Sequence, residues 1–124
     1  MKKFLAIILA ALMLTTVAFA QEAAMTPDEL FEIGDRYYDG VEVAQDYEKA
    51  FGYFKLAAEQ GHLESINRLA ICYDNGRGVE QDQVKAVELY TQAAEQGYAK
   101  AQYNLGLSCY SGEGIEQSYE KAYE

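Results

Sequence analysis

The stretch LAICYDNGRGVEQDQVKAVELYTQAAEQG, residues 69–97, decides the fold of this chain. Apolar residues at i, i+3, i+4 and i+7, the first of them just before this stretch, form one stripe of a helix. These residues are Ile66, Leu69, Ala70 and Tyr73. The glycines of NGRG accept the left-handed backbone that ends a helix, and Asp82 can cap the next one. The stretch therefore predicts two helices joined by a loop, the second running to Gln96.

The second predicted helix has one buried face. Val79 is expected to tuck beneath the loop that precedes the helix, and Gly97 to supply the turn that ends it. The residues predicted to be buried are Val84, Ala86, Val87, Leu89, Tyr90, Ala93 and Ala94.

The same pattern recurs at an interval of 36 residues, the spacing between Gly40, Gly76 and Gly112. The letters AAEQG accordingly stand at residues 57–61 and again at 93–97. Similarity at a fixed period of this length is typical of stacked units of two helices. We predict repeats at residues 26–60, 61–96 and 97–124, the third of them truncated.

The first repeat opens with a helix-start pattern. Thr26 stands where an N-cap belongs, Pro27 suits the first helical position, and Glu29 completes a capping box. No stretch of alternating apolar and polar residues follows anywhere in the repeats, so no strand is expected. The predicted domain is therefore all-α.

Residues 1–20 have the three-part pattern of a secretory signal peptide. Two lysines precede an apolar run, and AFA at 18–20 supplies the small residues that a signal peptidase reads. We expect cleavage near Ala20, a short linker over 21–25, and a periplasmic or secreted protein of a Gram-negative bacterium. The residue after the expected cleavage site is Gln21 and not a cysteine, so a lipid anchor on the new N-terminus is not expected.

The chain is strongly acidic, with 10 basic and 20 acidic residues and a net charge of −10. Cleavage of the signal would remove Lys2 and Lys3 and leave a net charge of −12. Such a surface repels phosphate backbones and anionic lipids. We therefore expect neither nucleic acid nor, once the signal is cleaved, a membrane as a partner.

The quoted stretch resembles a Sel-one-like repeat, which belongs to the tetratricopeptide superfamily. That family carries a leucine–glycine pair, a tyrosine, a G-x-G-V loop, an aspartate, a lysine–alanine pair, an aromatic residue and A-A-x-x-G. The first repeat has Glu42 in place of the second loop glycine, and the third matches through Ala122. The second repeat matches at Leu69, Tyr73, Gly76, Gly78, Val79, Asp82, Lys85, Ala86, Tyr90, Ala93, Ala94 and Gly97.

The resemblance implies antiparallel helix pairs stacked into a right-handed, tetratricopeptide-like superhelix, with the first helices lining a concave surface. It also implies an adaptor that binds a protein or peptide and acts as a scaffold or regulator of envelope partners or in host contact. Two alternatives stay open at this point. One is a hydrolase of β-lactams or cell wall, as suggested for cysteine-rich relatives, and the other is an immunity or inhibitor protein.

The first helices are the expected place for a partner. Three positions in each helix, spaced i, i+4 and i+7, form parallel rows on one face. Aromatic side chains beside acids and an amide suit peptide binding, although several could instead pack against the next repeat. The rows contain Phe31, Asp35 and Tyr38, then Asn67, Ile71 and Asp74, then Tyr103, Leu107 and Tyr110.

The sequence predicts no catalytic centre, metal site or cofactor. His62 is the only histidine and is expected to pack at the seam between repeats. The turn GRGVEQ recurs as GEGIEQ and lacks a third glycine and a preceding strand, which favours a structural loop over a phosphate site. The acidic residues around it lack the spacing of a calcium-binding loop.

Two cysteines in an exported chain permit a disulfide. Cys72 and Cys109 lie on the first helices of neighbouring repeats, so a bridge between them requires both to face the seam. Cysteine-rich relatives instead bridge the second helix of one repeat to the first helix of the next. The equivalent positions here are Ala94 and Gln102, so that pattern is absent.

The third repeat offers only a short second helix, from Ser118 to Glu124. Two turns are marginal in isolation, and Leu105 and Leu107 would be left partly uncovered. We predict either a frayed C-terminus or a terminus that is capped by another chain. Self-association through this repeat is one form that such capping could take.

Overall fold

The computed structural model describes residues 24–112, which form five α-helices and no strand. This confirms the all-α prediction for the described part of the chain. The predicted signal segment at 1–20 and the helix predicted at 118–124 lie outside these residues. The helices are α1 Pro27–Asp39, α2 Tyr47–Glu59, α3 Leu63–Asn75, α4 Gln83–Glu95 and α5 Ala99–Ser111.

The helices are arranged as stacked antiparallel pairs. Helix α1 packs most closely on α2, and α3 on α4, so each pair corresponds to one repeat. The pairs are joined by packing between α2 and α3 and between α4 and α5. Because every helix lies against its neighbour in sequence, the chain forms the predicted solenoid.

Equivalent residues begin the second helices. Asp46 accepts a hydrogen bond from the Lys49 backbone N–H at 3.1 Å, and Asp82 accepts one from Lys85 at 3.0 Å. Each aspartate satisfies an amide that has no partner within its helix. The N-cap predicted at Asp82 is confirmed, and Asp46 repeats it.

The predicted capping box at the start of α1 is also confirmed. The Glu29 backbone N–H donates to Thr26 Oγ1 at 3.2 Å, and the Thr26 N–H donates to Glu29 Oε2 at 3.0 Å. Pro27 occupies the first helical position, where its missing N–H costs nothing.

Two glutamines that the sequence analysis missed hold the loops between paired helices. Gln45 Nε2 donates to the Tyr38 carbonyl at 2.9 Å, and Gln81 Nε2 donates to the Asp74 carbonyl at 2.8 Å. Each bond satisfies a carbonyl near the end of a first helix. Their interval of one repeat could have revealed them.

The core lies between the paired helices and contains Tyr38, Phe54, Ile66, Leu69 and Tyr90. The predicted buried face of α4 is confirmed except at Ala94, which is half-buried, and at Val84, whose exposed fraction is 53%. Successive residues of a helix are rotated by about 100°. Val84 therefore lies on the side of exposed Glu88, away from the stripe that includes Ala86 and Tyr90.

One loop glycine joins the first two repeats. Gly78 has a φ of +76°, and a Cβ at this position would overlap the Tyr47 carbonyl oxygen at the start of α2. Glu42 holds the equivalent position in the first repeat with a φ of 65°. The left-handed backbone therefore tolerates a side chain there, but the contact between repeats at Gly78 does not.

Candidate partner-binding surface

The nine residues predicted to face a partner differ widely in exposure. Tyr38 and Asn67 are buried, with exposed fractions of 7% and 4%. The side chains on α5 are exposed, with fractions of 69% for Tyr103, 50% for Leu107 and 91% for Tyr110. The half-buried residues are Phe31, Asp35, Ile71 and Asp74. Among the three rows, the row on α5 is the one whose three side chains are all exposed.

Tyr38 belongs to the core and not to a binding face, which corrects the prediction for this residue. Its ring packs edge-on against Tyr47, with centroids 5.1 Å apart. Arg77 Nη1, from the loop of the second repeat, donates to its hydroxyl at 2.6 Å. The second repeat thus covers a residue that the helix spacing alone placed outside.

Phe31 and Asp35 lie at the seam between the first two repeats. The Phe31 ring lies 5.7 Å from Phe54 and 5.5 Å from His62, centroid to centroid. Asp35 Oδ1 pairs with Arg68 Nη2 of α3 at 2.9 Å. Both residues therefore contribute to stacking of the repeats.

Asn67 is likewise used within the molecule, which corrects its predicted role. Asn104 Nδ2 of α5 donates to Asn67 Oδ1 at 3.1 Å, so the bond between the two amides joins α3 to α5. A buried amide is costly unless it is hydrogen-bonded, and this bond offsets that cost.

Asp74 is the last residue of the row on α3. The Tyr90 hydroxyl donates to its Oδ2 at 3.5 Å. Burial, and then the nearby Asp74 carboxylate, raise the pKa of Tyr90, so its hydroxyl remains a donor.

The row on α5 leaves three large side chains exposed on one face of the helix. Tyr103, Leu107 and Tyr110 follow one another at i, i+4 and i+7. Elsewhere, exposed large apolar residues such as Leu56 and Val84 lie singly on second helices.

A groove of about 430 Å³ lies between α3 and α5, beside this row. Two cations, two amides and apolar side chains line it, and no carboxylate does. The sequence analysis missed Arg68, Lys100 and Asn104, although Arg68 and Asn104 are one repeat interval apart. The lining residues are Asn67, Arg68, Ile71, Ala99, Lys100, Tyr103 and Asn104.

A second groove, of about 330 Å³, lies on α1 and has the opposite character. Three carboxylates line it, from Glu32, Asp35 and Asp39, against the single cation of Arg36. The α1 groove thus has more carboxylates than cations, whereas the α3–α5 groove is lined by two cations, one of which, Arg68, pairs with Asp35 of the α1 groove.

His62 serves as the N-cap of α3. The Ser65 backbone N–H donates to His62 Nδ1 at 3.3 Å, while Nε2 lies 2.8 Å from Asp28 Oδ1 of α1. The predicted position at the seam between repeats is confirmed. Within residues 24–112, no group of three or more His, Cys, Asp or Glu residues could hold a metal ion.

Cys72 and Cys109 are free cysteines, so the bridge that the sequence permitted is not formed. Cys72 is buried in the core, and burial raises the pKa of its thiol to about 11 despite the opposing effect of Arg68 and Arg77. The two cysteines occupy adjacent positions of the repeat, Cys109 being equivalent to Tyr73. Their side chains therefore point in directions about 100° apart on parallel helices.

A hydrogen bond joins Gln102 and Ala94, the two positions that the family resemblance singled out for comparison with a bridge. Gln102 Nε2 of α5 donates to the Ala94 carbonyl of α4 at 3.1 Å. The contact joins the same two helices without a covalent bond.

No helix within residues 24–112 is both long enough and apolar enough to cross a membrane. Every described helix has 13 residues, whereas a membrane-spanning helix needs about 20.

The stacked helix pairs, with equivalent caps and loops, define an α-helical repeat protein of the tetratricopeptide-like class. The family model described as Sel1 repeat matches residues 30–62, 63–98 and 99–124. The chain belongs to the Sel1 repeat family.

Solved structures support this membership. A Sel1 repeat protein from Oxalobacter formigenes is 34% identical, with a TM-score of 0.72 over 83% of this chain and 41% of that one. A protective antigen of uropathogenic Escherichia coli, described as displaying an SLR fold, is 37% identical, with a TM-score of 0.70 over 82% of this chain and 21% of that one.

Two further relatives cover less of the chain. Cysteine rich protein B of Helicobacter pylori is 25% identical, with a TM-score of 0.60 over 64% of this chain and 59% of that one. Protein SHC1 of Saccharomyces cerevisiae is 42% identical over 50 residues, which are 40% of this chain and 10% of the yeast protein. The chain thus spans only part of each relative.

Proposed function

We propose that this protein is an exported interaction module that binds a protein or peptide partner through the surface of its first helices. In this role it acts as an adaptor or regulator of partners in the bacterial envelope. The observation that carries the proposal is the exposure of Tyr103, Leu107 and Tyr110 on one face of α5.

The exposed row differs from ordinary surface hydrophobicity. Single exposed apolar residues are common on folded proteins, whereas a contiguous group with aromatic members is typical of a binding site. Tyrosine supplies contact area and a hydrogen-bonding group at a small cost in side-chain entropy. The α3–α5 groove borders this row at Tyr103, so the surface combines apolar contact with polar recognition.

The proposal includes no catalytic centre. The only histidine is engaged by Ser65 and Asp28, and the Cys72 thiol is buried with a raised pKa, so neither is placed to act as a base or nucleophile. Nothing in the described surface favours a β-lactam or cell-wall hydrolase. An immunity protein would use the same surface and would differ only in its partner.

Photocrosslinking in cells tests the binding surface. Benzoylphenylalanine in place of Tyr103 or Tyr110 should give a discrete adduct with a partner in the envelope fraction, because both side chains face outward. Leu56 and Val84, exposed on second helices, are the matched controls and should not give that adduct. Equal adducts at all four positions, or none at Tyr103 and Tyr110, would contradict the proposal.

Export is tested separately. The protein recovered from the periplasm or medium should begin at Gln21, as measured by intact mass and N-terminal sequencing. Recovery of the uncleaved chain from the cytoplasm would contradict export without affecting the proposed binding surface.

The same surface could instead bind a second copy of this chain. Sedimentation velocity over a range of concentrations distinguishes the two cases, since self-association raises the mass with concentration. In the proposed role the chain stays monomeric, and the crosslinked adduct has a mass other than that of a dimer.

A further inference from the structure

Each first helix meets the next one in the same register. Asp28 Oδ1 of α1 lies 2.8 Å from Nε2 of His62, the N-cap residue of α3. Glu64 of α3 stands one repeat after Asp28. Burial, and then the Glu64 carboxylate, raise the pKa of Tyr98, the N-cap residue of α5. Lys100 of α5 is the third member of this series, so it stands where the first turn of a further parallel helix would lie.

The row on α5 lies on the side of its helix that faces the next repeat in the two preceding pairs. The equivalent row on α1 contains Asp35, which pairs with Arg68 of α3 at 2.9 Å. The row on α3 contains Asn67, which accepts a hydrogen bond from Asn104 of α5 at 3.1 Å. The side chains of the row on α5 are instead 50% to 91% exposed. This row is therefore a stacking face that none of the five described helices covers.

The composition of this face indicates what could stack on it. Leu107 takes the place of Asp35, and Lys100 takes the place of Asp28. An apolar residue therefore belongs opposite Leu107, because a cation such as Arg68 would be buried there without a counter-ion. A carboxylate belongs opposite Lys100, and an acidic residue at an N-cap or in a first turn also stabilises its own helix. The ligand that fits is an α-helix with an acidic N-terminus and an apolar stripe.

A second copy of this chain fits the same face poorly. In a head-to-tail stack its α1 would place Glu32 against Leu107, so a carboxylate would be buried without a partner. Arg36 stands where α3 and α5 have the small buried side chains of Cys72 and Ser108. The face therefore favours a helix from a different protein.

We infer that the partner contributes an α-helix that runs parallel to α5 and packs on Tyr103, Leu107 and Tyr110, with a carboxylate of its first turn beside Lys100. This inference rests on the proposed function and names the structural class of the partner. The helix would stack on α5 as α3 stacks on α1, with the two axes about 8–10 Å apart.

A stapled helix tests this inference on the full chain. The fluorescein-labelled probe has the sequence of residues 62–75, because α3 is the helix that stacks on the equivalent row of α1. In the probe, His62→Asp and Arg68→Leu match the changed face, and Cys72→Ala prevents oxidation. A hydrocarbon staple joins its positions 67 and 71, on the side away from the contact. Anisotropy should show binding at least tenfold tighter than for the unstapled peptide, because a helix of this length is marginal in water.

Substitutions in the chain locate the contact. Leu107→Ser should weaken binding of the probe about tenfold, whereas Leu56→Ser, at an exposed leucine of α2, should not. Lys100→Gln should weaken it about threefold, and this loss should vanish when the N-cap of the probe is Asn and not Asp. All three residues are exposed, so the variants should fold, as circular dichroism can establish.

The photocrosslinks report the conformation of the natural partner. Tyr103 and Tyr110 are seven residues apart on α5, which corresponds to a rise of about 10 Å. A parallel helix covers this distance with about seven residues, whereas an extended peptide needs about three. Mass spectrometry of the two adducts should therefore map sites about seven residues apart on the partner, in the same chain order as on α5.

The outcomes separate this inference from the proposed function. Sites about three residues apart, sites in reverse order, or equal binding of stapled and unstapled probes would refute the helix and leave the binding surface intact. Equal losses in the two leucine variants would also refute it. Absence of both crosslinks and probe binding would refute both proposals.

Two results would assign the stacking face to another occupant and overturn the inference. Concentration-dependent dimerisation that Leu107→Ser abolishes would assign the face to a second copy. Probe binding that appears only after deletion of residues 113–124 would assign it to that segment of the chain.

Discussion

Individual residues carry the contacts that join one repeat to the next. Gly78 is the sharpest example, because a side chain there would overlap the Tyr47 carbonyl oxygen of the preceding repeat. Tyr38 shows the complementary case, since its hydroxyl accepts a hydrogen bond from Arg77 in the following repeat. Substitutions at such positions should affect stability through neighbouring repeats and not only locally.

Gly78→Ala should therefore destabilise more than Gly61→Ala. Both glycines have positive φ, at +76° and +81°, so both variants incur the cost of a left-handed alanine, about 1–2 kcal/mol. A Cβ at Gly61 would contact none of the described residues within 4 Å, whereas an alanine at Gly78 should cost about 1–3 kcal/mol more because it displaces the backbone. Urea unfolding measures both free energies, and equal losses would contradict the contact between repeats.

The buried Cys72 thiol should make stability depend on alkaline pH. Burial raises its pKa from 9.0 to about 11, so the folded state holds its proton more tightly than the unfolded state. The resulting stabilisation is complete below pH 9 and is lost as the pH rises through 11, at about 1.4 kcal/mol per unit.

Cys72→Ala is the control, because the tyrosines also titrate in this range. The difference in free energy of unfolding between wild type and variant should shrink from pH 9 to pH 11. A constant difference would show that the thiol is not desolvated in solution.

At the scale of helices, the same repeat position has different surroundings in different pairs. Gly34 of α1 and Gly106 of α5 are equivalent, with Ala70 between them in the series. A Cβ at Gly34 would lie 2.8 Å from Phe54 Cε1 of α2, whereas at Gly106 it would meet nothing within 4 Å among residues 24–112. Close packing of α1 on α2 thus depends on the missing side chain.

Gly34→Ala and Gly106→Ala should accordingly have opposite effects. Alanine favours a helix over glycine by about 1 kcal/mol, and this gain should appear at Gly106. At Gly34 the overlap with Phe54 should outweigh the gain and cause a net loss of about 1–2 kcal/mol. Thermal and urea unfolding should agree, and stabilisation at both sites would contradict the packing of α1 on α2.

At the scale of the whole molecule, burial declines toward α5. Helix α3 buries six residues, including Ile66 and Leu69, whereas α5 buries only Ala101 and Ser108. Tyr98 stands at the N-cap of α5 but its side chain makes no capping hydrogen bond, unlike that of His62 at α3. Local stability in repeat proteins follows such contacts with neighbouring repeats.

Amide hydrogen exchange should therefore be slowest in α3 and α4 and faster in α5. Mass spectrometry of the full chain after deuterium labelling measures this order, with light scattering to establish the mass. Addition of a partner should slow exchange in α5 specifically. Protection of α5 equal to that of α4 in a monomeric sample without a partner would contradict the predicted gradient.

Much of this architecture follows from the amino-acid sequence by itself. The apolar stripe at Ile66 and Leu69, the cap at Asp82 and the interval between Gly40 and Gly76 predict the helices and their repetition. These features depend on residues within a few positions of one another, so local backbone chemistry determines them.

Only the tertiary structure decides which side chains of the first helices remain available to a partner. The i, i+4, i+7 rows place Tyr38, Asn67 and Tyr103 on similar faces, yet the first two are buried and the third is exposed. The α3–α5 groove likewise joins Arg68 to Lys100 across two repeats. The physical reason is that helix periodicity determines the direction of a side chain, whereas the stacking of the next repeat determines whether that direction ends in protein or in water.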